Sequence, residues 1–356
     1  MTKSITKKIS LLLIFILIIF SASVNVNASS PSTVSASAAK QQYGDLTLLA
    51  GGMPFGVKFV TEGVLVVGSE SVKMSDGSCD PAKSAGLQPN DIILQINGHT
   101  LTSAIELNQI VEGSGGAPLK IIFSRNGHQK STTLTPAYCE QEGRYSAGLY
   151  VRDSGAGIGT VTFIVPKTGA FAGLGHGICD CDTGKLVPMQ RGSVVGVTIS
   201  GVVRGLSGSP GEIKGYFSSG KTGSLLGNTD CGVFGVFATL PKDTPATPMP
   251  VGTRKEVKTG KACILCTLDS NKIEQYEIEI SDIKTDSTSN KCFTVKVTDE
   301  RLLDKTGGII QGMSGSPIIQ NGKLIGAVTH VLIGDPACGY GIFIENMLAQ
   351  MGDLAA

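Results

Sequence analysis

The sequence predicts a mainly β protein, and three observations carry that prediction. The 356 residues hold 47 glycines and 15 prolines but only 17% charged residues and no tryptophan, so the chain is punctuated by residues that end helices and form turns. Between these breaks lie short β-branched runs, among them Gly159-Thr160-Val161-Thr162-Phe163-Ile164-Val165, Gly192-Ser193-Val194-Val195-Gly196-Val197-Thr198-Ile199 and Leu324-Ile325-Gly326-Ala327-Val328. Helical character is confined to residues 103–111 and to a terminal stretch, residues 344–351. From residue 148 onward the pattern favours a barrel or sandwich over a parallel sheet with crossover helices. An apolar content of 41% at this length allows two domains with their own cores. The net charge of +1, with no basic stripe, argues against a nucleic-acid ligand.

The elements follow in chain order. Lys3, Lys7 and Lys8 precede the apolar run Leu11 to Phe20, and a small polar stretch from Ser21 to Ser30 follows. This is the layout of a secretory signal, with Val26-Asn27-Ala28 as a cleavage site. The apolar stretch is short against the roughly 17 to 25 residues of a membrane span. Residues 1–28 are therefore expected to be a signal peptide or membrane anchor, which places the body of the protein across a membrane from the cytoplasm. Residues 29–45, rich in serine, alanine and threonine, read as a linker.

Residues 46–135 form a segment with its own order. A glycine-framed turn, Gly52 to Phe59, leads into a strand, Gly63 to Gly68 gives another, and a helix over 103–111 precedes a strand from Leu119 to Ser124. The runs Ala82-Lys83-Ser84-Ala85-Gly86-Leu87, Asp91-Ile92-Ile93-Leu94 and Ile96-Asn97-Gly98 resemble a PDZ domain of the kind carried by exported proteases. The resemblance implies that a peptide adds as a strand at a sheet edge, its terminal carboxylate held by backbone N–H groups of a turn. Pro54-Phe55-Gly56-Val57 is the matching turn.

Chemistry concentrates in Gly308-Ile309-Ile310-Gln311-Gly312-Met313-Ser314-Gly315-Ser316-Pro317. A serine on a glycine-flanked turn lets the N–H groups of Gly312 and Ser314 converge beside its hydroxyl, as an oxyanion hole requires. Gly-x-Ser-Gly-x-Pro is how chymotrypsin-like serine peptidases present their nucleophile, so residues 148–356 are expected to form a double β-barrel of that type. Serine needs a general base. Of four histidines, His99 and His128 fall in turns of the PDZ-like segment, and His176, set among small residues, is favoured over His330 at a strand end. Asp299, ending the alternating strand Phe293 to Asp299 fifteen residues before Ser314, is the candidate acid, with Asp180, Asp182 and Asp335 as competitors. The order His176, Asp299, Ser314 is the chymotrypsin order. Gly205-Leu206-Ser207-Gly208-Ser209-Pro210 nearly repeats the nucleophile motif, but Ser207 precedes the acid; Ser316 is a third candidate. Nine cysteines, including Cys179-Asp180-Cys181 after His176 and Cys263-Ile264-Leu265-Cys266, lack the paired spacing of a zinc site, so neither metal nor cofactor is expected.

With these pieces placed, the chain resembles the stage IV sporulation protein B (SpoIVB-type) serine peptidases over nearly its whole length. The most specific stretch runs from Val297-Thr298-Asp299 through Gly312-Met313-Ser314-Gly315-Ser316-Pro317-Ile318-Ile319-Gln320-Asn321-Gly322-Lys323 to Ala327-Val328-Thr329-His330-Val331. The resemblance implies an exported, membrane-associated signalling peptidase in the intermembrane space of the forespore. Its substrate would be a membrane-bound regulator of an intramembrane metalloprotease, cut to activate a late sigma factor, and its PDZ domain would govern self-recognition, including self-cleavage, and target binding. It also places catalytic roles on His176 and Ser314 and the proposed acid role on Asp299. A catalytically idle, membrane-tethered peptide-binding scaffold is the competing reading.

Overall fold

The computed structural model describes Tyr43, residues 45–269 and residues 272–355. The expected signal or anchor at 1–28 lies outside the described residues, as does the linker except for Tyr43 and Asp45. Among the described residues no helix is long and apolar enough to cross a membrane. Mainly β architecture is observed, as three packed bodies: a PDZ-like module and two barrels.

β1 (Thr47–Ala50) and β2 (Pro54–Ser69) open the described chain. The module follows as β3 (Val72–Met74), β4 (Gly77–Cys79), α1 (Pro81–Ser84), β5 (Ile92–Ile96), β6 (His99–Thr100), α2 (Ala104–Gly113), β7 (Leu119–Arg125), β8 (His128–Leu134), β9 (Ala137–Cys139) and β10 (Arg144–Ser146). The helix expected over 103–111 is α2; the Ser103 side chain caps it by accepting from the Glu106 N–H, and Leu107 and Val111 are buried along one face. Those two residues join Val64, Val66, Ile93, Ile96, Ile121 and Phe123 in a small core. His99 and His128 lie in exposed short strands of this module rather than in turns.

The first barrel is built from both sides of the module. After it come β11 (Leu149–Ile164), β12 (Ala170–Gly173), β13 (Met189–Val203), β14 (Glu212–Thr229), β15 (Gly232–Phe237) and β16 (Met249–Pro250). Pairing runs β11-β12-β15-β14-β13-β2, and β2 closes the ring on β11. Two expectations are corrected here. The segment expected as a glycine-framed turn leading into one strand and then a second, Gly63 to Gly68, is from Pro54 onward one sixteen-residue strand, β2. Pro54-Phe55-Gly56-Val57 is likewise no carboxylate-binding turn: it pairs with Thr160 to Gly157 of β11 on one side, while Gly56 and Val57 also pair with Val195 and Val194 of β13. A backbone bonded on both edges has no N–H groups left for a ligand. The boundary at residue 46 shifts accordingly, because β1 and the first half of β2 belong to the barrel, and only the end of β2 reaches the module through Val64 and Leu65 on β5.

The second barrel comprises β17 (Gly260–Thr267), β18 (Ile273–Ser281), β19 (Phe293–Val297), α3 (Glu300–Thr306), β20 (Pro317–Gln320), β21 (Lys323–Leu332) and β22 (Asp335–Phe343), then α4 (Ile344–Met351). Its six strands close in the order β17-β18-β19-β22-β21-β20. Strand alternation sorts its faces: Tyr276, Ile278 and Ile280 are buried while Gln275, Glu277 and Glu279 face water. Its core, with Phe293, Val295, Ile318, Val328 and Phe343, is continuous with residues of the first barrel such as Phe163 and Phe234. The two barrels thus share one apolar seam, and the catalytic candidates lie at its solvent end.

Candidate active site

Ser314 and His176 come from different barrels and line one cleft of about 720 Å³. The nucleophile turn joins α3 to β20. Met313 and Ser316 are fully buried beneath it, and Ser316 N–H donates to the Met313 carbonyl. The first barrel holds the turn through two threonines of β11. Thr160 Oγ1 donates to Gly312 O at 2.8 Å and its N–H to Ser314 O at 3.0 Å, while Thr162 Oγ1 donates to Gly315 O at 2.8 Å. Among the described residues the N–H groups of Gly312 and Ser314 meet no acceptor. Two backbone donors left free in an otherwise bonded turn are what an oxyanion hole needs.

His176 is carried by a tight reversal after β12. Leu174 and Gly175 both have left-handed backbone, with φ of 67° and 66°, which costs free energy at leucine and marks a constrained turn. Gly175 leaves no spare room: a Cβ there would stand 3.0 Å from Thr329 Cγ2 and 3.1 Å from Ile342 Cγ2. The loop therefore presses against the second barrel and sets His176 in the cleft that Ser314 also lines. His176 Nδ1 donates to the Gly177 carbonyl at 2.8 Å, since a carbonyl only accepts, and this leaves Nε2 as the basic nitrogen. Burial holds the His176 pKa below the ordinary histidine value, against the opposing effect of the Gly177 hydrogen bond. The Ser314 hydroxyl donates to Thr329 O at 2.6 Å.

Asp299 is not brought to His176. It is the N-cap of α3: its carboxylate accepts from the Arg301 N–H at 3.0 Å, the Glu277 N–H at 3.1 Å and the Arg301 guanidinium at 2.9 Å. The Arg301 hydrogen bond, above all, holds its pKa below the usual aspartate value. At a strand end, an aspartate followed by a short helix caps that helix, and the same position that suggested an acid explains the cap. No carboxylate hydrogen-bonds His176 among the described residues. Asp180 does line the cleft but accepts from the N–H groups of Asp182 and Thr183 and pairs with Arg152 at 2.5 Å, while Asp335 lies at the exposed start of β22. Ser207 is exposed and donates to Gly334 O, whereas Ser316 is buried too deeply to meet substrate.

His330, the alternative base of the sequence reading, and two threonines also shape the site. His330 stands with its ring centroid 4.8 Å from that of His176, and its buried Nδ1 has no partner. Burial first, then the charges of His176 and Lys291, push its pKa down to about 4. Thr160 and Thr162 were signalled only as two hydroxyls on one face of an apolar strand. The nine cysteines are free thiols. Asp180, Cys181 and Asp182 bring ligand atoms within 4.8 Å of one another, but the Arg152 guanidinium hydrogen-bonds all three and supplies the cation there.

Two closed six-stranded barrels with a serine and a histidine lining one cleft at their seam are the architecture of a chymotrypsin-like serine endopeptidase, here carrying a PDZ domain. The profile of the SpoIVB peptidase S55 family matches residues 143–348 and that of a PDZ domain matches residues 80–125. The chain belongs to the SpoIVB peptidase S55 family. Among solved structures it is similar to the PDZ domain of an SdrC-like protein from Listeria monocytogenes, at 22% identity over 25% of this chain and 87% of that one, with a TM-score of 0.21. It is also similar to the Rv3671c protease of M. tuberculosis in its active form, at 16% identity over 57% and 75% of the two chains and a TM-score of 0.31. The HtrA-type protease AlgW with a tripeptide matches at 16% identity over 55% and 56%, with a TM-score of 0.31.

Proposed function

We propose that this serine endopeptidase works through a Ser314–His176 pair and performs limited signalling proteolysis of a membrane-bound regulator during sporulation. The observation that carries the catalytic part is the conjunction, in one cleft, of the Ser314 hydroxyl, two unbonded N–H groups at Gly312 and Ser314, and a histidine whose Nδ1 proton is already held. Rotation of Ser314 about Cα–Cβ moves its hydroxyl from Thr329 O toward His176 Nε2. The base takes the Oγ proton as Oγ attacks the scissile carbonyl, and the resulting oxyanion falls on the two free N–H groups. The imidazolium then returns the proton to the leaving amine, and a water molecule, deprotonated by the same nitrogen, releases the acyl group and restores Ser314. The Gly177 carbonyl does the tautomer-fixing that a carboxylate does in a triad.

The physiological part rests on membership of the SpoIVB peptidase family and on the signal-like residues 1–28. Export into the forespore intermembrane space, attachment through the N-terminus and self-cleavage go with it. The test is co-expression of the exported protein with the membrane regulator of an intramembrane metalloprotease, in wild-type, Ser314→Ala and Ser207→Ala forms. Loss of both self-cleavage and regulator cleavage in Ser314→Ala alone is the expected result. Processing that is indifferent to Ser314 would sink the peptidase assignment and leave a peptide-binding scaffold.

A further inference from the structure

A second cavity, of about 870 Å³, lies on the outer face of the first barrel and is lined by three cations, Lys58, Arg191 and Lys221, and by no carboxylate. Strand register explains why they gather. Ser193 of β13 stands opposite Lys58 of β2 on one side and Ser224 of β14 on the other, and Arg191 precedes it by two residues on the same strand. Val195, two residues past Ser193, stands opposite Lys221. Side chains two apart on a strand share a face, and the alternates Val57 and Val194 point into the barrel core. Cations elsewhere are engaged: Arg125, Arg144, Arg152, Arg254 and Arg301 each pair with a carboxylate, and Arg204 donates to the Asp304 carbonyl. Among the described residues Arg191 and Lys221 have no hydrogen-bond or ion-pair partner, and Lys58 meets only the Phe217 ring, its Nζ 5.0 Å from the centroid. The carboxylates of the same strands, Glu62, Asp153 and Glu212, do not line the cavity. Asp153 accepts from the Ala104 N–H and the Ser154 hydroxyl, and Glu212 pairs with Lys214. Like charges around one cavity with no counter-charge give it a positive potential that favours an anion.

We propose that this cavity is a phosphate-binding site, with Lys58, Arg191 and Lys221 supplying the charge and the Ser193 and Ser224 hydroxyls between them donating to phosphate oxygens. The arginine offers a planar fork that fits two oxygens at once, and the lysines act as point charges on either side. A space of this size takes a whole headgroup rather than a bare ion. Two sources carry that chemistry, free phosphate and the headgroup of an anionic phospholipid. The cavity shares Phe59, Gly155 and Ala156 with the cleft that Ser314 and His176 line, so a lipid held there sets the mouth of that cleft beside the bilayer surface. None of the three cations lines the cleft itself, and the site stands apart from the peptidase reading.

The test uses the full exported protein in three forms: wild type, the site variant Lys58→Gln/Arg191→Gln/Lys221→Gln, and the control variant Lys120→Gln/Lys130→Gln/Lys242→Gln. Both variants lose the same charge, and the control lysines are exposed and lie outside the cavity. One arm measures partition onto vesicles of phosphatidylglycerol mixed with phosphatidylcholine, against phosphatidylcholine alone. The other reads Tm in inorganic phosphate against chloride at equal ionic strength, because a ligand that binds only the folded state raises Tm. A lipid source predicts a preference for the phosphatidylglycerol vesicles that falls by roughly a hundredfold in the site variant, about fivefold per cation, and persists in the control. A free-phosphate source predicts a Tm rise in phosphate that the site variant loses and the control keeps, with no such preference between vesicles. Any contribution of residues 1–28 to vesicle binding is common to all three forms and cancels in the comparison. Equal losses in the site and control variants would show diffuse charge attraction and overturn the site, as would the absence of both the vesicle preference and the Tm rise in wild type.

Discussion

Gly205-Leu206-Ser207-Gly208-Ser209-Pro210 and Gly312-Met313-Ser314-Gly315-Ser316-Pro317 are nearly the same hexapeptide in two surroundings. In the second, Met313 and Ser316 are fully buried, Gly315 is clamped by β11, and the Gly312 N–H is unbonded. In the first, Leu206 is 62% exposed, the Gly208 N–H donates to Ile333 O, and the Gly205 N–H is spent on Thr306 O. The motif supplies a turn in both places. The buried anchors and the threonines of the opposite barrel fix the second turn and leave its Gly312 N–H open, so what sets the two hexapeptides apart belongs to the seam and not to the six letters.

The largest contrast to seek is in rate. Ser314→Ala should lower kcat by about three to six orders of magnitude, measured on casein or an active-site ester, while Ser207→Ala stays within about twofold because a surface substitution of this kind disturbs little. A large loss from Ser207→Ala would break the comparison outright. Next comes stability. A Cβ on Gly315 would lie 2.1 Å from Thr160 O and 2.4 Å from Leu174 N, at φ 95°, so Gly315→Ala should displace the turn, abolish cleavage and lower Tm. Gly208 also has left-handed backbone, at φ 82°, but meets nothing within 4 Å, so Gly208→Ala should cost only the intrinsic strain of about 1 to 2 kcal/mol, read by denaturant titration.

Asp299 sharpens the contrast from the other side. As a helix cap, Asp299→Asn should keep kcat/KM within a few-fold, and Asp299→Ala should cost about 1 kcal/mol of stability; as a triad acid, the asparagine variant would lose about four orders of magnitude. The smallest effects are in pH. His176 must be neutral to act, and burial lowers its pKa, so the acid limb of kcat/KM should lie below pH 6.5, and it should vanish from the residual activity of His176→Ala. His330 is held neutral in the fold with its pKa down at about 4, whereas the unfolded chain binds a proton near 6.5. The unfolded state therefore gains protons first, and stability should fall as pH drops from about 6.5 toward 4, a slope that His330→Phe should flatten.

Much of this was legible in the sequence. Glycine punctuation and β-branched runs gave the mainly β class, Ile344 to Met351 was read as the terminal helix that α4 is, and motif and access picked out Ser314 and His176, which line one cleft. What failed was what depends on long-range pairing. Pro54 to Val57 looks like a turn locally because glycines and a proline surround it, yet β11 and β13 recruit it as an inner strand. Asp299 matched chain order, but an ion pair two residues away, to Arg301, decides its role. Thr160 and Thr162 lie some 150 residues from the turn they hold, a separation no local pattern encodes.

The pairing of Ser69 with Leu149 has a further consequence, one about how such a chain is assembled. Everything between those two residues leaves from and returns to neighbouring rungs of a single hairpin, so the module occupies the place of a hairpin loop. Glu70 N–H donates to the Gly148 carbonyl, one more rung at the neck. A tight Asn-Gly reverse turn in place of residues 70–148 would close the same ladder. The PDZ module is in this sense a cassette, one that a genetic exchange confined to a loop can insert, remove or swap without redrawing either barrel.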